Sequence, residues 1–136
     1  MSAFSGDLIV KLISDDQSGI WELITPLTFY SDLLGKAIVA PQGFRTDFCS
    51  VPRVPIAFDM LGNRARKSGT IHDYLYTTHM TTRQIADEIL REMLVLNGVD
   101  EDEAQMFYVA VRVGGGSHWG PDLPTGAKNG NNLPST

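Results

Sequence analysis

The sequence predicts one α+β domain: an N-terminal antiparallel β-meander of three to four strands, three helices, and an extended Gly/Pro/Asn-rich tail. Three observations carry that expectation. Short β-branched and apolar runs between turn residues fill the first third. Apolar residues at helical period follow from about Asn63. The last stretch, "SHWGPDLPTGAKNGNNLPST", has few apolar anchors beyond Trp119 and Leu123. The domain is expected to span residues 1–116 and the tail residues 117–136. A chain of 136 residues is long enough to bury a core without staples.

The strands are read in order. "DLIVKLI" (Asp7–Ile13) and "GIWELIT" (Gly19–Thr25) flank the turn-rich spacer "SDDQSG". "LTFYSD" (Leu27–Asp32) and "KAIVAP" (Lys36–Pro41) flank Leu33-Leu34-Gly35, a connection suited to a hairpin. Gly43–Asp47 reads as the end of a strand. Phe48–Pro55 reads as an ordered loop, because Pro52 and Pro55 lack a ladder donor.

The helices follow. In the first, Asn63–Thr78, Ile71 and Leu75 lie four apart on one face. In the second, Thr81 and Gln84 have capping-box spacing, Ile85, Ile89, Met93 and Leu96 repeat at helical period, and Asn97-Gly98 ends it. In the third, Asp100 is placed to cap, and Glu101, Asp102 and Glu103 suit the positive end of the dipole. Met106, Ala110 and Val113 make its stripe, and Gly114-Gly115-Gly116 stops it.

A formal net charge of -5 gives no bulk attraction to nucleic acid or anionic lipid. A local basic cluster, Arg64, Arg66 and Lys67 with Arg45 and Arg53 upstream, reads as a solvated segment before a helix. One cysteine, Cys49, excludes an intrachain disulfide framework and fits a reducing compartment. No apolar run reaches the ~20 residues of a membrane span, and the N-terminus does not read as a signal peptide.

The chemistry-bearing stretch is "GTIHDYLY" (Gly69–Tyr76). At ~100° per residue, His72 and Tyr76 share a helix face, while Asp73 points away from His72. That divergence suits hydrolysis: His72 as general base, Asp73 holding a cation that polarises the scissile group. Asp87, on an antiparallel second helix, is the candidate to orient His72. The alternative for Asp87 is an ordinary surface ion pair, since Arg83 and Arg91 lie four residues either side. Asp47, in "FRTDFCSVPR", is a second carboxylate for the cation, or a loop cap. Cys49 reads better as buried structure than as a nucleophile, for want of a nearby group to depress its pKa. His118 is a candidate third metal ligand, with the alternative that His118-Trp119 pins the tail. Zinc spacings such as His-Glu-x-x-His are absent.

"GFRTDFCSVPR", "IHDYLY", "TRQIADEILREML" and "FYVAVRVGG" together resemble a family of uncharacterised small proteins, a domain of unknown function found mainly in tailed bacteriophages and prophages. The resemblance runs from about Asp7 to Gly116. It implies a phage genome as source and no particular reaction. Relatives usually carry alanine at the position of Cys49, which further demotes a thiol mechanism. A second, local resemblance is to the His-Asp helix of secreted and bacterial phospholipases A2. It implies His72 activating water, Asp73 binding calcium, Asp87 orienting His72 and Tyr76 steadying the network. The flanking disulfides and glycine-rich calcium loop of that family are missing, so Arg45–Ser50 would have to replace the loop.

Two expectations result. The first is a phage accessory protein with a cation-dependent hydrolase-like site, the catalytic residues being His72, Asp87 and Tyr76. Asp73 and Asp47 would hold Ca²⁺ in preference to Zn²⁺, given their hard oxygen donors, with no organic cofactor. Its substrate would be a phospholipid or a cell-wall bond of the bacterial envelope. The second is a virion or tail-associated structural protein docking other virion proteins, in which the His-Asp network is purely architectural. A third, an accessory factor for a host defence protein or a nucleotide, has no feature that selects it. The chain is expected in the host cytoplasm when synthesised, then in the virion or released at lysis.

Overall fold

A computed structural model describes residues 1–14, 19–48 and 65–120. The α+β class holds. Six strands form two three-stranded antiparallel sheets, followed by four helices among the described residues. The loop Phe48–Pro55 beyond its first residue, Cys49, the start of the first expected helix, and the tail beyond Gly120 lie outside the described residues.

In the first sheet, β1 (Ala3–Ser5) pairs with β4 (Leu27–Ser31), and β4 with β5 (Lys36–Ala40), in the order β1-β4-β5. In the second, β2 (Val10–Ser14), β3 (Ile20–Leu23) and β6 (Arg45–Thr46) run in the order β2-β3-β6. The β4–β5 hairpin turns through Leu33-Leu34-Gly35 as expected. Gly35 has φ 77 and donates its N–H to the Ser31 carbonyl at 2.7 Å; the left-handed conformation there is one glycine adopts without strain. β1 was not foreseen, because "AFS" is too short to show alternation.

Alternation sets what the first sheet buries. Leu27, Phe29, Ile38 and Ala40 turn inward, whereas Tyr30 and Val39 turn out. Against this face packs α1 (Arg66–Thr78), which also meets β6 and lays its other side on α2 (Arg83–Leu96). Helix α2 in turn packs on α3 (Glu101–Gly114), and the short α4 (Gly116–Trp119) folds back to touch α1. Helix α1 is therefore the central layer, and it carries the His-Asp pair.

Helix boundaries and faces differ from expectation at two points. The N-cap of α2 is Thr82, whose Oγ1 accepts from the Ile85 N–H at 3.2 Å, one residue later than the Thr81–Gln84 box. The stripe of α3 is also rotated. Ala104, Phe107 and Val111 are buried, while Met106 and Val113 are 71% and 68% exposed. Both sets have helical spacing, so periodicity alone does not choose between them; the bulk of Phe107 decides.

Glu92 of α2 fastens the helices to the first sheet. Its Oε1 accepts from Ser31 Oγ at 2.7 Å, and its Oε2 accepts from Ser2 Oγ at 2.5 Å and from the backbone N–H of Asp32 at 3.0 Å. Replacing Glu92 by alanine strips a charged acceptor from several donors at once. Denaturant unfolding is expected to show a loss of about 1–3 kcal/mol; an unchanged midpoint would refute this role.

Candidate active site

Asp87 is completely buried, and donors from α1 and α3 together with a cation of its own helix converge on it. His72 Nε2 lies 2.8 Å from Asp87 Oδ1, and the Tyr76 hydroxyl donates to the same oxygen at 2.7 Å. Arg112 Nη1 donates to Oδ2 at 3.0 Å, and Arg83 Nη1 stands 3.8 Å from that oxygen. The i,i+4 relation within α1 places the His72 and Tyr76 rings 4.3 Å apart. A carboxylate can only accept, so in this pairing His72 Nε2 is the donor and carries a proton. Burial, then the hydrogen bond to Asp87 and its charge, raise the Tyr76 phenol well above its ordinary pKa, with Arg83 opposing.

Asp87 is thus no surface partner of Arg83 and Arg91. Arg91 turns the other way, hydrogen-bonding Gln105 and covering the Tyr108 ring. Arg83 also donates to the carbonyls of Val111 and Arg112, both at 3.2 Å, so it closes the C-terminal end of α3. Arg112 escaped the sequence reading. A lone arginine in a helix's last turn reads as a dipole partner, and only the packing of α3 on α2 brings it to Asp87.

Asp73 faces elsewhere, as one helical step requires. Its Oδ2 accepts from Thr46 Oγ1 at 2.6 Å, and Thr46 Oγ1 in turn accepts the Phe48 N–H at 2.9 Å. A cavity of about 230 Å³ opens on this side, lined by Asp73, Asp47, Thr46, Arg45, Tyr76 and His118, among others. Asp47 and Asp73 thus share one cleft, while His72 is fully buried and does not line it. Tyr76 links the two regions: its hydroxyl holds Asp87 and its side chain lines the cleft.

His118 is on the cleft, not beside His72. His79 ends α1 in a left-handed conformation, φ 54, and stacks on Trp119 with centroids 3.8 Å apart. Its Nε2 lies 2.9 Å from the Trp119 carbonyl oxygen. Trp119 also meets Tyr76 edge-on at 5.1 Å, so α4 is pinned beside the site. Among the described residues, no three His, Cys, Asp or Glu side chains form a metal-holding group.

Gly115 gives α4 room to approach. A Cβ there would stand 2.5 Å from the Tyr76 hydroxyl oxygen, whereas at Gly116 nothing lies within 4 Å. Gly115→Ala is expected to displace the Tyr76 hydroxyl and lower the melting temperature, with Gly116→Ala close to wild type. Equal effects would overturn that reading. The phenol also has a pH signature. Its raised folded pKa means this contribution is full below the unfolded value of about 10 and is lost as pH climbs through the folded one. Tyr76→Phe should therefore flatten the alkaline fall of stability; an unchanged alkaline limb would contradict it.

No curated protein and no solved structure matches the chain. A family model does match, over residues 21–111, and this span holds His72, Asp73, Tyr76, Asp87 and Asp47. The chain belongs to DUF1353, a family of proteins of unknown function.

Proposed function

We propose that the chain is a bacteriophage accessory protein whose cleft is a cation-dependent hydrolase site acting on a phospholipid or cell-wall bond. The observation that supports it most is the shared Asp87 oxygen, 2.8 Å from His72 Nε2 and 2.7 Å from the Tyr76 hydroxyl. This is the orienting arrangement a histidine base needs, and Asp73, one residue on, lines the open cleft with Asp47. On this reading His72 is the general base, taking a proton from water once its buried ring gains access to the cleft, and the resulting hydroxide attacks the scissile carbonyl. The same proton then passes to the departing oxygen. Asp87 and Tyr76 hold the ring in place. The phage origin rests on the resemblance of the "GFRTDFCSVPR", "IHDYLY" and "RQIAD" blocks.

The two carboxylates of the cleft fit Ca²⁺ better than Zn²⁺. When bound there, the ion would polarise the carbonyl under attack. Asp73 and Asp47 would hold it, beside the hydroxyl of Thr46.

A second reading is favoured by the complete burial of His72 and Asp87. On it, the network is architectural and the protein is a virion or tail-associated structural component. A buried charge whose partners are all protein groups fixes how helices meet without any turnover.

Calorimetric titration with Ca²⁺ and Zn²⁺, followed by phospholipid and peptidoglycan assays, separates the two. The hydrolase reading expects Ca²⁺ binding that Asp73→Asn weakens at least ~10-fold, as loss of a charged oxygen ligand should. It also expects His72→Gln to stay folded but inactive. Failure of Ca²⁺ to bind, no activity in either assay, and unfolding of His72→Gln would leave the architectural reading.

A further inference from the structure

Helix α3 is apolar on two opposite sides. Ala104, Phe107 and Val111 turn into the core. Met106, Val109 and Val113 are 71%, 48% and 68% exposed, and after Met1 they are the most exposed large apolar side chains among the described residues. At ~100° per residue, these three point nearly opposite to the buried set. A surface helix needs only one apolar side, and a helix apolar all round is normally enclosed. Here α3 packs on α2 and touches α4, while its outer side stays open to solvent.

The pattern of that outer side complements itself. Met106, Val109 and Val113 follow the three-then-four spacing of a coiled-coil seam. From Ala104 to Val111 the helix carries no charged residue. Charge gathers at its two ends with opposite sign: Glu101, Asp102 and Glu103 in the first turn, Arg112 in the last. The Arg112 side chain is 32% exposed and gives Nη1 to Asp87, which leaves it further N–H donors. Two such helices laid parallel would set one acidic turn beside the other. Laid antiparallel, each acidic turn meets the basic end of its neighbour, the uncharged middles face each other, and the helix dipoles oppose favourably.

We propose that α3 pairs antiparallel with α3 of a second copy of this chain, across a two-fold axis. Met106 packs against the partner's Val109, and Val109 against the partner's Met106, as an isologous contact requires. On the flank of the seam, Arg112 faces the partner's Glu101. The seam is short, well under the ~800 Å² per partner of a standard interface, so the pair forms with a dissociation constant on the order of 10–500 µM. This pairing does not depend on any chemistry at the cleft.

The test is sedimentation equilibrium of the full chain up to millimolar concentration, where a monomer–dimer equilibrium is expected. Met106→Glu and Val109→Lys should both stay folded by circular dichroism, because both side chains face solvent. Each should dimerise at least ~10-fold more weakly, as a charge placed in an apolar seam does. An equimolar mixture of the two variants should recover the dimer, because the antiparallel register sets the two substituted positions, of opposite charge, against each other. A chain that stays monomeric at millimolar concentration, association unchanged in both variants, or no recovery in the mixture would each overturn the proposal.

Discussion

The structure depends on one buried negative charge. The Asp87 carboxylate has lost all contact with solvent, and an ionised group in that position is tolerated only where fixed donors replace its water. Those donors come from α1 through His72 and Tyr76 and from α3 through Arg112, and the charge of Arg83 on its own helix adds to them. Each contributes only if its helix sits at the right rotation. The geometry of the bundle and the solvation of one carboxylate are thus the same condition.

Helix α1 divides the protein into a closed side and an open one. His72 and Tyr76 turn toward Asp87, while Asp73 turns toward Thr46 and the cleft. A single residue of helical advance makes the separation. The Thr46 hydroxyl extends the open side into the second sheet, since it both donates to Asp73 and accepts from the Phe48 backbone. The cleft and a second cavity lined by Trp21 and Phe48 thereby share one short segment, Thr46–Phe48, as a common wall.

Much of this was legible in the sequence. Four strand segments, the strand end at Gly43–Asp47, the three long helices and Asp87 as the candidate partner of His72 follow from period, turn residues and a short connection that returns α2 antiparallel, whereas the expected single meander is two three-stranded sheets. What escaped has physical reasons. β1 is three residues long and gains definition only by pairing with β4. The cap of α2 moved by one residue because Thr81 and Thr82 offer equivalent hydroxyls. The apolar stripe of α3 was misplaced because its two faces differ in bulk and not in spacing. Arg112 and Thr46 carry no local signal, since a residue's value to a buried carboxyl is decided by elements far away in the chain. The sorting of the six strands into two sheets is likewise a non-local choice: β6 joins β3 across more than twenty residues.

Arg83 grips α3 by its main chain as well as meeting Asp87 by charge. Its guanidinium is bound to the carbonyls of Val111 and Arg112, one of which belongs to the residue whose side chain donates to the same carboxylate oxygen. Helix α3 therefore cannot fray from its last turn without also releasing the anion at the centre. Such coupling joins the end of α3 to α2 in one opening unit, so that the bundle would come apart as a block instead of peeling from its end.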